Sequence, residues 1–520
     1  MVADISCQVI KRNVIANMLG SSWTIALQLV IVPFQVKILG VEAFGLLAFL
    51  ASVQILFSVF DLGLSPTITR EVASDQSPDL RHSRELVQSL TLVYVGIAVL
   101  LGGALSISAP WLATNWLKLD GLSKDSATLA IQLGALAIML RWPVSFCVGI
   151  IAGRQRFDLL NLLTAGMMTV GLLGGIVVIL LSSSLIALLV WRVVFALAEV
   201  TVYIAACFRL LPGLTLRPRF AGEIASQIWP FAGSMGLLAI QTLLLSQADR
   251  FLISRLLPIT ALGYYALGSN VAMSLAAIQG TVSSVMFPTL TTSYVRGERE
   301  AMVVQCAKAV QAINFCVAFP AFVLVFFGYD VLRLWIDFET AQASYQVLGI
   351  LAVSVLLNAP LNVLSTLAFT TGHTRSLLII NTLGICLYIP CLYLLTSRFS
   401  LQGAALAFVL LQIYNLIVLP PLALRILGES GAFKWMRRNM LPFVLIGGAI
   451  AGLAKVAVLV TGSGVAITIL VCGLSAVVYL TFASLALQVE LRRAGQRLVA
   501  QVYFMFLRLL GWPRQSGVGQ

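Results

Sequence analysis

Residues 159–181 read LLNLLTAGMMTVGLLGGIVVILL, a run of 23 positions without one charged side chain. Wound as a helix at 1.5 Å per residue, such a run crosses the roughly 30 Å hydrocarbon core of a bilayer. It does not alternate apolar with polar and is far longer than the roughly 10-residue strand of a membrane barrel, so a barrel is excluded. Runs of the same kind follow at 15–38, 43–66, 86–108, 129–152, 185–207, 228–252, 263–290, 305–327, 345–369, 376–395, 402–424, 441–461 and 464–487, giving about fourteen expected spans. Composition agrees: 60% of residues are hydrophobic and 10% charged, with a mean hydropathy of +0.99. A soluble domain could not keep that much apolar surface from water. The expected fold is an all-α polytopic membrane protein.

The net charge of +13 comes from 33 Lys and Arg against 20 Asp and Glu. With the N-terminus inside, 22 of those cations fall in inner loops and termini and six in outer loops. That bias is the positive-inside rule. It predicts both termini in the cytoplasm and removes nucleic acid as a reason for the basic balance. Lys11 and Arg12 precede a first span too long for a signal peptide, so that span is expected to be retained. The eight cysteines lie in spans or near the inner face, and no CxxC occurs. Disulfides and a metal site are therefore not expected. His82 and His373 both fall near the cytoplasmic surface. No GxxxxGK[ST] loop occurs, so neither a nucleotide nor any other cofactor is expected beyond coupling to a proton or sodium gradient.

The connections are short. Even 109–128 and 328–344 are too small to fold alone, and the second reads as a solvated loop carrying Asp330, Asp337 and Glu339. The chain divides into a cytoplasmic N-terminus (1–14), a first six-span lobe (15–207), a cytoplasmic linker (208–227), a second six-span lobe (228–424), a cytoplasmic loop (425–440), two further spans (441–487) and an amphipathic inner-leaflet tail (488–520). A weak repeat supports the two lobes. ILGVEAFGLLAFLASV (38–53) aligns with LLPITALGYYALGSNV (256–271) at an offset of 218, matching Gly45 with Gly263 and Ala43 with Ala261. Six spans separate the copies, so they run in the same direction. This predicts parallel lobes around an axis along the membrane normal, with a substrate site between them.

Charge inside a membrane costs about 2.5–3.5 kcal/mol even on the lenient insertion scale, so each such residue is a site candidate. Arg141 is the deepest, about 18 Å from either end of its span and too far to snorkel. It is expected to face a wet cavity, with a buried ion pair as the structural alternative. Arg192 and Glu199 are seven apart on one span and share a face. Glu199 could pair with a cation from another helix or carry a proton. Asp249 and Arg250 are adjacent, so each needs either another partner or water of an outer vestibule. Lys455 reads as a snorkelling residue and Asp61 as the end of its helix. Gln28, Gln241, Asn270, Asn358 and Asn362 complete the polar candidates; Pro360 lies between the last two and should bend their helix.

The opening VIANMLGSSWTIALQLVIVPFQVKILGVEAFGLLAF, then FDLGLSPTITREVA, LLSQADRFLISRLL and ALGYYALG, resemble the polysaccharide transporter family. These are O-antigen-type flippases of the superfamily that also holds multidrug antiporters and the lipid II flippase. The resemblance implies two lobes around a cavity that opens alternately to each side of the bacterial inner membrane. It implies an undecaprenyl-pyrophosphate-linked oligosaccharide as cargo, membrane lipids as surroundings, and polysaccharide polymerase or export machinery as partners. A deep arginine suits that cargo, because its planar fork of donors matches phosphate. A cation-coupled drug antiporter and a lipid II-type flippase are the alternatives. A glycosyltransferase or polymerase would need a substantial outer loop with charged catalytic residues, which this chain lacks.

Overall fold

A computed structural model of the chain describes Trp23 and residues 26–61, 64–75, 81–213, 240–462 and 464–487. The expected N-terminal segment 1–14, most of the linker 208–227 and the tail 488–520 lie outside these residues, as does the side chain of His82. The described residues form helices and no strand, with one isolated bridge from Lys118 to Pro258.

The helices are α1 (Ala26–Leu39), α2 (Val41–Ser58), α3 (Leu64–Ser74), α4 (Arg81–Trp111), α5 (Lys124–Arg141), α6 (Pro143–Gly153), α7 (Phe157–Ser182), α8 (Leu185–Leu210) and α9 (240–256). They continue with α10 (Ile259–Ser274), α11 (Ala276–Val295), α12 (Arg299–Trp335), α13 (Phe338–Thr370), α14 (Thr374–Leu427), α15 (Ala432–Asn439), α16 (Leu441–Thr461) and α17 (Val465–Ala486). Eleven stretches among the described residues are long and apolar enough to span a membrane. The chain is a multi-pass membrane protein, although the expected count of fourteen is not reached within these residues. Two of the expected spans, 376–395 and 402–424, run together in α14. Its 54 residues would extend about 80 Å if straight, well beyond one bilayer. The backbone breaks at Ser400, where φ is +52°, a conformation an L-residue adopts only under constraint. The expected loop 328–344 is also corrected. α12 runs to Trp335 and α13 starts at Phe338, so only Ile336 and Asp337 lie between them. Asp337 caps α13 through the amide of Thr340 at 2.8 Å, which is why the turn can be so tight.

The chain forms two compact units: Met1–Leu267 with Ile385–Ala404, and Gly268–Gly384 with Ala405–Gln520. In the first, α3 and α6 approach through small residues. Ser145, Gly149 and Gly153 recur every fourth residue and so share one face of α6. A methyl on Gly149 would lie 2.9 Å from the Ser65 carbonyl oxygen. Helices that touch this closely can trade side-chain hydrogen bonds for packing. Ser65 Oγ donates to the Ser145 carbonyl at 2.6 Å, and Thr69 Oγ1 to the Gly149 carbonyl at 3.2 Å.

In the second unit, α12 and α13 pack along their length, and α16 and α17 seat on α12. Gly447 lies against the backbone at Ala318 and Phe319. The fully buried Tyr479 stacks on Phe319 with ring centroids 5.1 Å apart and donates its hydroxyl to the Phe315 carbonyl at 2.9 Å. Lys455 on α16 does not simply snorkel. It pairs with Asp330 of α12 at 3.0 Å and lies 4.8 Å from the centre of the Phe327 ring. An ammonium on a half-buried helix gains more from a carboxylate and a ring face nearby than from stretching to distant water.

Candidate functional site

Arg141 is the last residue of α5, in the sequence Arg141-Trp142-Pro143, and Pro143 opens α6. Proline has no N–H to return to the carbonyl of Met139, so the helix is interrupted one turn around the arginine. The two halves stay joined by the bond from the Trp142 amide to the Ile138 carbonyl at 3.0 Å. The guanidinium thus sits at a helix break, beside open space.

That space is a cavity of about 280 Å³ within the first unit, lined by Arg141, Arg192, Glu199, Gln28, Gln54 and the rings of Trp191 and Phe195, among others. A second cavity of about 420 Å³ shares Gln54, Ile138 and Arg141 with it and reaches Asp61, Ser65 and Ser145. Arg141 therefore stands where the two spaces meet. Its Nε lies 2.8 Å from Glu199 Oε2, and its Nη2 donates to Glu199 Oε1 at 3.2 Å. The pair is lopsided in exposure: 49% for the Arg141 side chain against 6% for Glu199. Both readings of Arg141 are present together, as an ion-pair partner and as a cavity-lining cation.

Arg192 lines the same cavity with no ion pair or hydrogen bond among the described residues. Two guanidinium groups thus face one carboxylate, and the local balance is positive. The wall behind them is built by glycine. Side chains at Gly171 and Gly174 would run into Phe195 and Trp191, and Trp191 Nε1 donates to the Gly171 carbonyl at 3.0 Å. Bare backbone on α7 leaves room for both rings of α8. Gln54, Trp191 and Phe195 were not among the residues singled out from the sequence. Gln54 carried a signal, as an amide inside an apolar span; the rings are ordinary in an apolar helix and carried none.

The other candidates do not line the first cavity. Asp61 ends the 3₁₀ turn after α2, as expected, and its carboxylate accepts from the amide of Ser65 at 3.2 Å and from the hydroxyl of Tyr94. Asp249 on α9 is buried and accepts from Tyr265 Oη at 2.6 Å, with the amide of Arg250 on its other oxygen. Gln241 on the same helix is buried. In the second unit Asn270 is half-buried on α10. Asn358 donates to Gln412 at 2.9 Å, and Asn362 accepts from Ser283. These two asparagines are four apart, yet each joins α13 to a different neighbour, α14 and α11. Seven free cysteines and no cluster able to hold a metal ion occur among the described residues.

The model of a family described as polysaccharide biosynthesis protein matches residues 36–334. The chain belongs to that family. Among known sequences it is similar to a Shigella flexneri protein named "Putative O-antigen transporter", 21% identical over 422 residues, covering 79% of this chain and 96% of the relative. It is also similar to the uncharacterized membrane protein EpsK of Bacillus subtilis, 25% identical over 355 residues, covering 66% of this chain and 69% of EpsK. Among solved structures, the lipid II flippase MurJ in an inward closed conformation superposes with a TM-score of 0.68 at 12% identity, covering 89% of this chain and 97% of MurJ. The MATE multidrug transporter DinF-BH follows with 0.58 at 16% identity, covering 81% and 97%. At such identities the likeness establishes a shared fold. The family member described here thus has the helical architecture of MurJ and the MATE transporters.

Proposed function

We propose that this chain is a flippase that moves an undecaprenyl-pyrophosphate-linked oligosaccharide across the bacterial cytoplasmic membrane by alternating access, for surface polysaccharide synthesis. The observation that carries the reading is the cavity of the first unit. It offers two arginines against one glutamate at membrane depth, with half of the Arg141 side chain open. A pyrophosphate diester is an anion that must cross hydrocarbon shielded, and a guanidinium binds it with paired donors. Trp191 and Phe195 supply apolar faces for sugar rings, and Gln28 and Gln54 supply amides for hydroxyls. The family and the Shigella flexneri relative support this cargo over others. The loop charge bias supports cytoplasmic termini, and a proton or sodium gradient is the proposed energy source.

The experiment is export of lipid-linked glycan in cells carrying Arg141→Ala and Arg141→Lys. Export stops in the first while the protein still inserts. It falls only partly in the second, where a point charge replaces the fork. Full export in Arg141→Ala removes this residue from the mechanism. One observation favours a second reading, a cation-coupled multidrug antiporter: the buried carboxylate of Asp249, held by Tyr265, is the kind of group that takes up a proton or sodium ion.

A further inference from the structure

We infer that Glu199 is the built-in counter-ion of the anion site: the incoming anionic headgroup exchanges with it for Arg141, and this exchange limits affinity so that cargo can leave. The inference rests on the proposed anionic cargo and adds a residue whose role is to oppose binding. Glu199 occupies only one edge of the Arg141 guanidinium, the edge formed by Nε and Nη2. A guanidinium has five N–H donors in a planar fork, so Nη1 and one further proton of Nη2 remain for another acceptor. The exposures say which partner is fixed: Glu199 is 6% exposed and held in the wall, while the arginine is 49% exposed and turned toward the two cavities. Arg192, unpaired among the described residues, lines the same space and can take a second oxygen.

The charge balance follows. Without cargo the two arginines and Glu199 leave a surplus of one positive charge, enough to attract an anion. With a doubly charged pyrophosphate bound, Glu199 becomes a like charge beside it at short range, where water screens little. A site made of arginines alone would hold that anion too well to release it, whereas a carrier needs binding that is favourable yet reversible. Glu199 supplies the competing acceptor: as the headgroup departs, the carboxylate keeps the Nε and Nη2 edge of Arg141, so the guanidinium is never left without a charged partner.

The test uses the purified full-length protein, with farnesyl pyrophosphate as the probe anion in a calorimetric titration and a dissociation measurement. Glu199→Gln keeps the shape and removes the charge, and is expected to bind at least about tenfold tighter with slower dissociation. Export in cells falls in the same variant, because release is slowed. A residue that merely braced Arg141 would give the opposite sign, weaker binding. If Glu199→Gln is not recovered folded, Glu199→Asp decides. Its carboxylate sits one methylene further from the guanidinium and should tighten binding about threefold. Unchanged or weaker binding in the folded glutamate variants, with Arg141→Ala still losing the probe, overturns this inference and leaves the anionic cargo standing. Unchanged binding in Arg141→Ala overturns the cargo reading, and with it this inference.

Discussion

Gly45 and Gly263 pack backbone against backbone, and each faces the partner of the other. A side chain on Gly45 would collide with the Ile259 carbonyl and lie 3.1 Å from the Gly263 amide; one on Gly263 would collide with the Val41 carbonyl and lie 3.3 Å from the Gly45 amide. Val41 and Ile259 are separated by 218 positions, as are Gly45 and Gly263, which is the offset of the sequence repeat. Reciprocal contacts of this kind mean that the start of α2 and the start of α10 are related by a local two-fold axis. The next pair of equivalent positions meets one connection. Glu42 accepts from the amides of Asp120, Gly121 and Leu122 at 2.8–3.1 Å, and Thr260, 218 residues later, donates to the carboxylate of Asp120. Both copies of the repeat grip the same short connection.

Glycine is therefore required at both positions, whereas Gly103 has no atom within 4 Å of where a side chain would begin. Gly45→Ala and Gly263→Ala should each destabilise the protein by about 2 kcal/mol, since the obstacle is backbone that cannot turn aside. Gly103→Ala should be neutral or stabilising by up to about 1 kcal/mol. Thermal unfolding of the three variants in one detergent gives the comparison, and equal melting temperatures would contradict the close approach.

Ser183, between α7 and α8, and Glu429, after α14, are both exposed at helix ends. In a variant with the native cysteines replaced, a cysteine at Ser183 should react with an impermeant thiol reagent from outside the cell. A cysteine at Glu429 should react only after the membrane is opened. The reverse pattern would invert the orientation drawn from the loop charges.

The pair of Lys455 and Asp330 ties α16 to α12 with side chains 30% and 28% exposed. Lys455→Met or Asp330→Asn alone leaves a charge with no close counter-ion, and the double variant should lose less than the sum of the two. A coupling energy on the order of 1 kcal/mol is expected from a double-mutant cycle of unfolding, given the partial exposure. Strict additivity would mean that water already satisfies both charges.

Loss of the gene should make its host accumulate undecaprenyl-linked oligosaccharide on the cytoplasmic side, without new sensitivity to cationic dyes. Fixed cations near the midplane favour an anionic headgroup, whereas extrusion of organic cations favours fixed anions there. Normal surface glycan together with dye sensitivity would decide for the antiporter.

The order of residues alone is enough to name the solvent and the class of fold. A bilayer forces each crossing segment to be long, apolar and internally hydrogen-bonded, and that demand is written in consecutive residues such as 159–181. It also singled out Arg141, because a charge at that depth is costly whatever surrounds it. What the charges do depends on contacts that form only when the chain folds. Glu199 is 58 residues from Arg141, and Asp330 is 125 from Lys455, so nothing local tells a carboxylate which cation it will meet. The break at Ser400 falls in the expected gap between 395 and 402, but its form was not legible, since a serine with a positive φ is imposed by packing and not by propensity. The repeat lay between these cases: its glycines were visible as letters, but the reason for them is the backbone of a helix more than 200 residues away, which only folding brings within reach.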